Sequence, residues 1–310
     1  AAPGDFRLPS LAALVPQTAR VRLPKIDPHE LLERAEPLIL PEENFVGRRE
    51  YPPFCIDSFR RARPVLKVQD GCSHCCTYCI VPLTRGPSCS RSPDAVIEEA
   101  ERLLRAGYRE IMISGINLRQ YRANGVNFWK LLRQVDSLLA PEWAGRARLR
   151  LSSLEPAQLD TEGLETLEAC TLLCPHLHLS LQSGCDTTLE RMNRRYRSAE
   201  YKERCELLRK YFGNPALTTD VIVGFPGETE EDFNELLDFV EETRIPRLGA
   251  FAFSDEEGTL SYRMAGKLDE ETKNERVEVL MRLQSGISDS LNEEKIGKTY
   301  EVMVDEAVDE

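Results

Sequence analysis

From Val65 onward, short apolar runs alternate with longer stretches in which apolar residues return every third or fourth position. The runs VLKVQ (65–69), EIMIS (110–114), ARLRLS (147–152), HLHLSL (176–181), DVIVGF (220–225) and RLGAFAFS (247–254) predict six strands. Helices are predicted over SPDAVIEEAERLLRAG (92–107), NFWKLLRQVDSLLA (127–140), TEGLETLEAC (161–170), an arginine-rich stretch at 191–210, and TEEDFNELLDFVEE (229–242). In the first helix Ser92 is placed to cap, Pro93 suits the first turn and Gly107 ends it, with Ile97, Ala100 and Leu104 as a buried stripe. Thr229 and Asp232 fit a reciprocal cap.

Strands alternating with helices of this length form βαβ units and a parallel sheet. Six units are too few for a closed eight-fold barrel, so the expected fold class is α/β, an open, partial (β/α)6 barrel. Chemistry then gathers where strands end and loops begin. This core is expected over 65–295. Residues 1–64 are Pro-rich and weakly periodic, and read as the tail of a preceding unit and a linker with one short helix near 28–35. A long amphipathic helix is predicted at 270–297, and the segment from 296 to 310 reads as the start of a small β domain that is not completed. The chain opens without Met and reads as a fragment or a processed chain.

No run of 18 apolar residues and no basic opening followed by an apolar block is present. A membrane span and a secretory leader are therefore not expected, and the cytoplasm is the expected compartment. The net charge of −12 argues against a basic coat over the whole surface. One basic stretch stands out at 191–210, with Arg191, Arg194, Arg195, Arg197, Lys202, Arg204, Arg209 and Lys210.

Ten cysteines are too dilute for a disulfide scaffold, and four of them crowd into DGCSHCCTYCIVPLTRG (70–86). Cys72, Cys76 and Cys79 read C-x3-C-x2-C, with Cys75 as an extra thiol expected to point away. Structural zinc wants a second ligand pair, and none follows. His176 and His178 alternate on a predicted strand and read as outward-facing packing. A redox pair would use Cys76 and Cys79 and leave Cys72 without a role. Three cysteines on one loop suit a 4Fe–4S cluster with an open iron, which can chelate the amine and carboxylate of S-adenosylmethionine. This spacing is the radical S-adenosylmethionine signature. A non-catalytic zinc-binding interaction module is the competing reading. Cys89, Cys170, Cys174, Cys185 and Cys205 read as small buried hydrophobes.

The sequence resembles the methylthiotransferases, radical enzymes that insert sulfur and then methylate it. The resemblance runs from about 65 to 297. It rests on GCSHCCTYCIVPLTRGPSCSR, SGIN (114–117), LSSLEP (151–156), LSLQSG (179–184), RMNRRY (191–196) and DVIVGFPGET (220–229). Several of these are most similar to the transfer RNA branch, which modifies carbon 2 of threonylcarbamoyladenosine beside the anticodon. RLGAFAFSDEEGTLSYRM and its continuation instead resemble the branch acting on an aspartate of ribosomal protein S12.

The resemblance implies a second 4Fe–4S cluster in an N-terminal domain and a C-terminal RNA-binding β barrel, the TRAM domain. Only Cys55 precedes residue 65, so the chain is expected to be the radical core with stubs of both neighbours. An external electron donor and a sulfur donor are implied as well, with transfer RNA or S12 as the partner.

By the same resemblance Gly115, Asn117, Ser153, Glu155, Gln182 and Ser183 line the S-adenosylmethionine pocket. Otherwise Gly115 and Gly184 merely turn the chain and Asn117 caps the next helix. Arg194 or Arg195 can pair with the methionine carboxylate, since guanidinium holds carboxylates bidentately; a solvated helix face is the other reading. Gly224 and Gly227 allow an adenine to approach the backbone, or simply turn strand into helix. Arg85, Arg91, Arg191 and Arg197 are the candidate RNA contacts.

Overall fold

The computed structural model describes Tyr51 and residues 63–300. The helix expected near 28–35 and residues 301–310 lie outside that range. Each predicted apolar run becomes a strand: β1 (Val65–Asp70), β2 (Glu110–Gly115), β3 (Arg148–Leu151), β4 (His176–His178), β5 (Ala216–Val223) and β6 (Arg247–Ala252). Each is followed by a helix: α1 (Pro93–Arg105), α2 (Phe128–Trp143), α3 (Thr161–Ala169), α4 (Ser198–Tyr211), α5 (Glu230–Thr243) and α6 (Glu270–Glu293). The strands run parallel in chain order, with Leu66 opposite Ile113, Ile111 opposite Leu149, Leu177 opposite Leu217 and Thr219 opposite Leu248. Between β3 and β4 the ladder thins to single bridges. There the Leu154 amide donates to the His178 carbonyl at 2.8 Å and the Ser180 amide to the Leu154 carbonyl at 3.0 Å. The result is a partial (β/α)6 barrel. A short antiparallel strand, Cys89–Ser90, pairs with the outer side of β1.

Strand alternation sorts the side chains. Leu66, Ile113, Leu149, Leu177, Val221 and Leu248 face the helices and join Leu103, Leu131, Leu208, Leu236 and Leu280 in one buried core. Each such side chain contributes about 1.5–3 kcal/mol by leaving water. The alternate residues turn into the concave side, which is polar. Glu110, fully buried there, accepts from Arg150 Nε at 2.6 Å and from Arg148, with Arg63 3.7 Å away. The expectation that His176 and His178 face outward is corrected. Leu177 between them is the helix-facing residue, so both histidines turn into the barrel, half-buried.

Capping explains the helix starts. Ser92 Oγ accepts from the Ala95 amide at 3.4 Å, and Thr229 and Asp232 exchange side-chain–backbone bonds at 3.0 and 3.1 Å. The arginine-rich stretch is not one helix. A short helix, Asp186–Arg191, ends in a turn where Asn193 takes φ +57°, and α4 starts only at Ser198. This break swings Arg194 out of any solvated helix face.

Candidate active site at the barrel mouth

The loop after β1 is pinned before any cysteine side chain is considered. Gly71 takes φ +70°, and a Cβ on it would lie 2.2 Å from the Pro87 carbonyl oxygen, so only glycine fits. Gln69, fully buried at the end of β1, acts as a strut. Its Nε2 donates to the Gly71 carbonyl at 2.6 Å and Ser88 Oγ at 2.8 Å, and its Oε1 accepts from the Asn117 amide at 2.9 Å. The far side of the loop docks on the turn before α4. Thr77 Oγ1 donates to the Arg191 carbonyl at 2.8 Å, and Asn193 Nδ2 donates to the Cys75 carbonyl at 2.7 Å.

Donors then converge on the thiols. Cys72 Sγ receives the His74 amide at 3.4 Å, Gln120 Nε2 at 3.6 Å and Asn117 Nδ2 at 3.8 Å. Arg194 Nη1 stands 3.3 Å from Cys76 Sγ. Burial raises the Cys79 thiol pKa, and the neighbouring Cys76 and Cys72 raise it further. Cys75 is exposed. Among the described residues no three His, Cys, Asp or Glu side chains close round a single metal ion. Three soft thiols spread over one loop, with amide and guanidinium donors beside two of them, suit instead a multi-iron cluster that takes one thiolate per iron. The donor set of Cys72, Cys76 and Cys79 therefore fits a 4Fe–4S cluster.

Glu155 ties this loop to the rest of the mouth. His74 Nδ1 lies 3.1 Å from its Oε1 and Asn117 Nδ2 donates to the same oxygen at 3.2 Å, with Arg119 at 3.7 Å and Arg194 at 4.0 Å. Burial works to raise its pKa, but His74, Arg194 and Arg119 outweigh it and hold the carboxyl below its ordinary range. His74, Cys76, Arg119, Glu155, Arg194 and Tyr196 line one cleft beside the cysteine loop. Tyr196 Oη donates to the Leu181 carbonyl and accepts from Arg194 Nε at 3.3 Å, and burial pushes its phenol up to about 12.

Of the residues singled out from sequence, Cys72, Cys76, Cys79, Asn117, Glu155, Arg194 and Arg195 meet in this region. Asn117 caps the following turn, its Oδ1 accepting from the Arg119 amide at 3.1 Å, while its Nδ2 points to Cys72 and Glu155. Gly115 closes β2 against Leu118 and Gln69, Ser153 is exposed at the end of β3, and Gln182 takes φ +68°. Ser183 is buried and its Oγ accepts from the Cys185 amide at 3.2 Å. Gly184 gives room to Phe239 of α5.

Three readings change. The space over Gly224 is not open to an adenine, because the Lys273 side chain fills it, and its amide donates to Glu228 at 2.8 Å. Arg91 is a buried structural arginine, paired with Glu99 at 2.6 Å, and cannot be a surface RNA contact. Arg191 pairs with Asp232 at 3.0 Å, Arg197 with Glu190 at 3.4 Å and Lys202 with Glu242, so the basic stretch is largely matched by acids rather than presented as a stripe. Arg85 is half-exposed, 3.4 Å from Asp70. Cys170, Cys174, Cys185 and Cys205 are buried as expected, and Cys89 is half-buried. His74, Arg119, Gln120, Tyr196 and Gln69 were not singled out from sequence. His74 lay inside the cysteine motif, and Gln69 was a polar residue in a predicted buried strand.

The family model described as the radical SAM superfamily matches residues 66–240. The ribosomal protein uS12 methylthiotransferase RimO of Clostridioides difficile is 33% identical over 98% of this chain and 67% of its own length. The chain belongs to the methylthiotransferases of the radical SAM superfamily. Threonylcarbamoyladenosine tRNA methylthiotransferase MtaB of Bacillus subtilis is 38% identical, covering 86% of this chain and 59% of that protein. The tRNA-2-methylthio-N(6)-dimethylallyladenosine synthase of Acetivibrio thermocellus is also 38% identical, over 77% and 49%. The chain thus spans about half to two thirds of the curated relatives it matches.

Among solved structures, the radical S-adenosylmethionine methyltransferase TsrM from Kitasatospora setae aligns with a TM-score of 0.55 at 18% identity. It covers 64% of this chain and 38% of that one. Coproporphyrinogen III oxidase from Escherichia coli aligns at 0.54 and 16%, over 73% and 52%. At such identities the likeness shows the fold, and the fold is this family's barrel. Among the described residues no helix is long and apolar enough to cross a membrane.

Proposed function

We propose that this chain is the radical core of a cytoplasmic methylthiotransferase that adds a methylthio group to carbon 2 of threonylcarbamoyladenosine beside a transfer RNA anticodon. The observation that carries the reading is the sharing of one cleft by the cysteine loop, Arg194 and Glu155. Cys72, Cys76 and Cys79 would hold three irons of a 4Fe–4S cluster. Glu155 would accept from the amino group of S-adenosylmethionine, and Arg194 with Arg195 would pair with its carboxylate. Together the bound cluster and S-adenosylmethionine supply one-electron chemistry that breaks an unactivated C–H bond. The protein's share is orientation and exclusion of water at the mouth, done by a loop fixed through Gln69, Thr77 and Asn193.

The MtaB relative supports the transfer RNA substrate, and a second cluster, a sulfur donor and an external electron donor are part of the same reading. A second reading, methylthiolation of an aspartate of ribosomal protein S12, is favoured by one observation: the RimO relative matches through 98% of the chain.

Mass spectrometry of transfer RNA nucleosides and of S12 peptides, from cells with and without the gene, tests both. Loss of methylthio-threonylcarbamoyladenosine with S12 unchanged is the expected result, and the reverse would replace the first reading by the second. After anaerobic purification, about four irons and four sulfides per core cluster are expected. A colourless protein with one zinc would instead support a binding module.

A further inference from the structure

The concave face of the barrel carries side chains that the cysteine site does not use. On β5 and β6 the residues turned from the helices include Thr218 and Asp220, and Gly249 and Phe251, with Asp220 directly opposite Gly249. The absent side chain at Gly249 leaves a shelf. A Cβ there would lie 2.9 Å from Asp220 Oδ1 and 3.2 Å from Phe251 Cε2, so a carboxylate and an aromatic ring border one spot. Phe251 is 56% exposed and the Asp220 side chain 47%. His178 braces the carboxylate: its Nε2 is 3.5 Å from Asp220 Oδ2, and its Nδ1 is 3.0 Å from Thr218 Oγ1. The shelf lies just beneath the strand ends, because the Asp220 carbonyl accepts the Gln182 amide at 2.9 Å.

We propose that this shelf seats the target base of an RNA substrate, a purine stacked on Phe251 and donating an N–H to Asp220, with His178 positioning the carboxylate. This rests on the transfer RNA reading and sharpens it. An aromatic face takes any base, at about 1–3 kcal/mol per stack, whereas an ionised carboxylate only accepts and so asks for a donor on the ligand. An aspartyl side chain brought to the same spot would meet like charge. His178 does not cancel that charge, since burial pushes its pKa below the ordinary value and leaves it neutral near pH 7. Arg150 is engaged by Glu110, and Arg247 lies at the level of Thr218, one step farther from the mouth. The balance at the shelf therefore favours a nucleobase over an acidic peptide.

The test uses the full-length, cluster-loaded protein and an anticodon-loop hairpin RNA with either adenine or an abasic site at the target position, compared by fluorescence anisotropy. Wild-type protein is expected to bind the adenine hairpin about tenfold more tightly, as one stacked base supplies. Phe251→Leu and Asp220→Asn should shrink that preference to about twofold while keeping wild-type affinity for the abasic hairpin. An unchanged preference in both variants overturns the base seat and leaves the RNA reading standing. Loss of affinity for both hairpins in each variant also counts against it, because it assigns these residues to folding. Wild-type protein that methylthiolates S12 and not a hairpin carrying threonylcarbamoyladenosine at the target position overturns the RNA reading and the base seat with it.

Discussion

The guanidinium of Arg194 lies between Cys76 and Tyr196, with Nη1 3.3 Å from Sγ and Nε 3.3 Å from Oη. Its side chain is only 8% exposed. Burial opposes its charge, yet Tyr196, Tyr78, Cys76 and Glu155 outweigh that and push its pKa up. A single charge-assisted bond here amounts to about 1.5–3 kcal/mol, or roughly a tenfold to hundredfold change. Arg194→Ala is therefore expected to lower deoxyadenosine release from S-adenosylmethionine by that factor and to reduce iron retained after anaerobic reconstitution. Arg194→Lys, which keeps the charge but loses the fork, should fall between. Full iron and full turnover in Arg194→Ala would remove this residue from the site.

Cys75 and Cys76 are neighbours with opposite expectations. Cys75 is exposed and its backbone carbonyl is fixed by Asn193, whereas the Cys76 thiol faces Arg194 in the cleft. Cys76→Ala is expected to give a protein that loses the brown absorbance and the iron of the core cluster. Cys75→Ala should keep both. Equal loss in the two variants would mean that the extra thiol takes a ligand position.

The strands, their order and most helix starts were legible because each depends on local pattern: period-two alternation, a capping Ser92, a reciprocal Thr229–Asp232 pair. The cysteine spacing pointed to its chemistry for the same reason, since three ligands lie within one loop. What sequence did not yield were relations across the fold. The split of the arginine-rich stretch depends on Asn193 reaching Cys75, which is 118 residues earlier. Arg91 reads as a surface arginine in sequence, and only the fold buries it, between Glu99 at 2.6 Å and the Lys67 carbonyl of β1 at 3.2 Å. His176 and His178 alternate equally well in either direction, and only Leu177's place among the helix-facing leucines decides which way they turn.

Glu110 at the barrel floor makes stability depend on acidity. Burial alone would raise its pKa, but the hydrogen bonds from Arg150 and Arg148 prevail and hold it below 4.5. A carboxyl depressed in the folded state binds fewer protons folded than unfolded. Its contribution is complete above 4.5 and is lost as pH falls through the folded value. Glu110→Gln should cost about 3 kcal/mol near pH 7, because two arginines lose their buried counter-charge. The gap between variant and wild type should narrow at acid pH, as the pH falls below 4.5 and through the depressed folded value where the wild-type carboxyl also protonates. Urea denaturation at both pH values measures it. A gap that is the same at both would show that packing rather than charge sets the effect.

Gly224 and Lys273 test how the turn after β5 is held. Gly224 takes φ +72°, and a Cβ there would lie 2.3 Å from Lys273 Cγ. Lys273 is fixed in turn, donating to the Phe253 carbonyl at 3.1 Å, while Glu228 holds the Gly224 amide and pairs with Arg276 at 2.6 Å. Helix α6 thus clamps the turn from above. Gly224→Ala carries two separate penalties: about 1–2 kcal/mol for left-handed backbone, and a clash that moves Lys273. Adding Lys273→Ala should relieve the clash and not the backbone term. The double variant is then expected to be less destabilised than the sum of the single ones by about 1 kcal/mol or more, read by urea midpoints in a double-mutant cycle. Strict additivity would mean that the lysine swings away freely, and that the turn owes its shape to glycine alone.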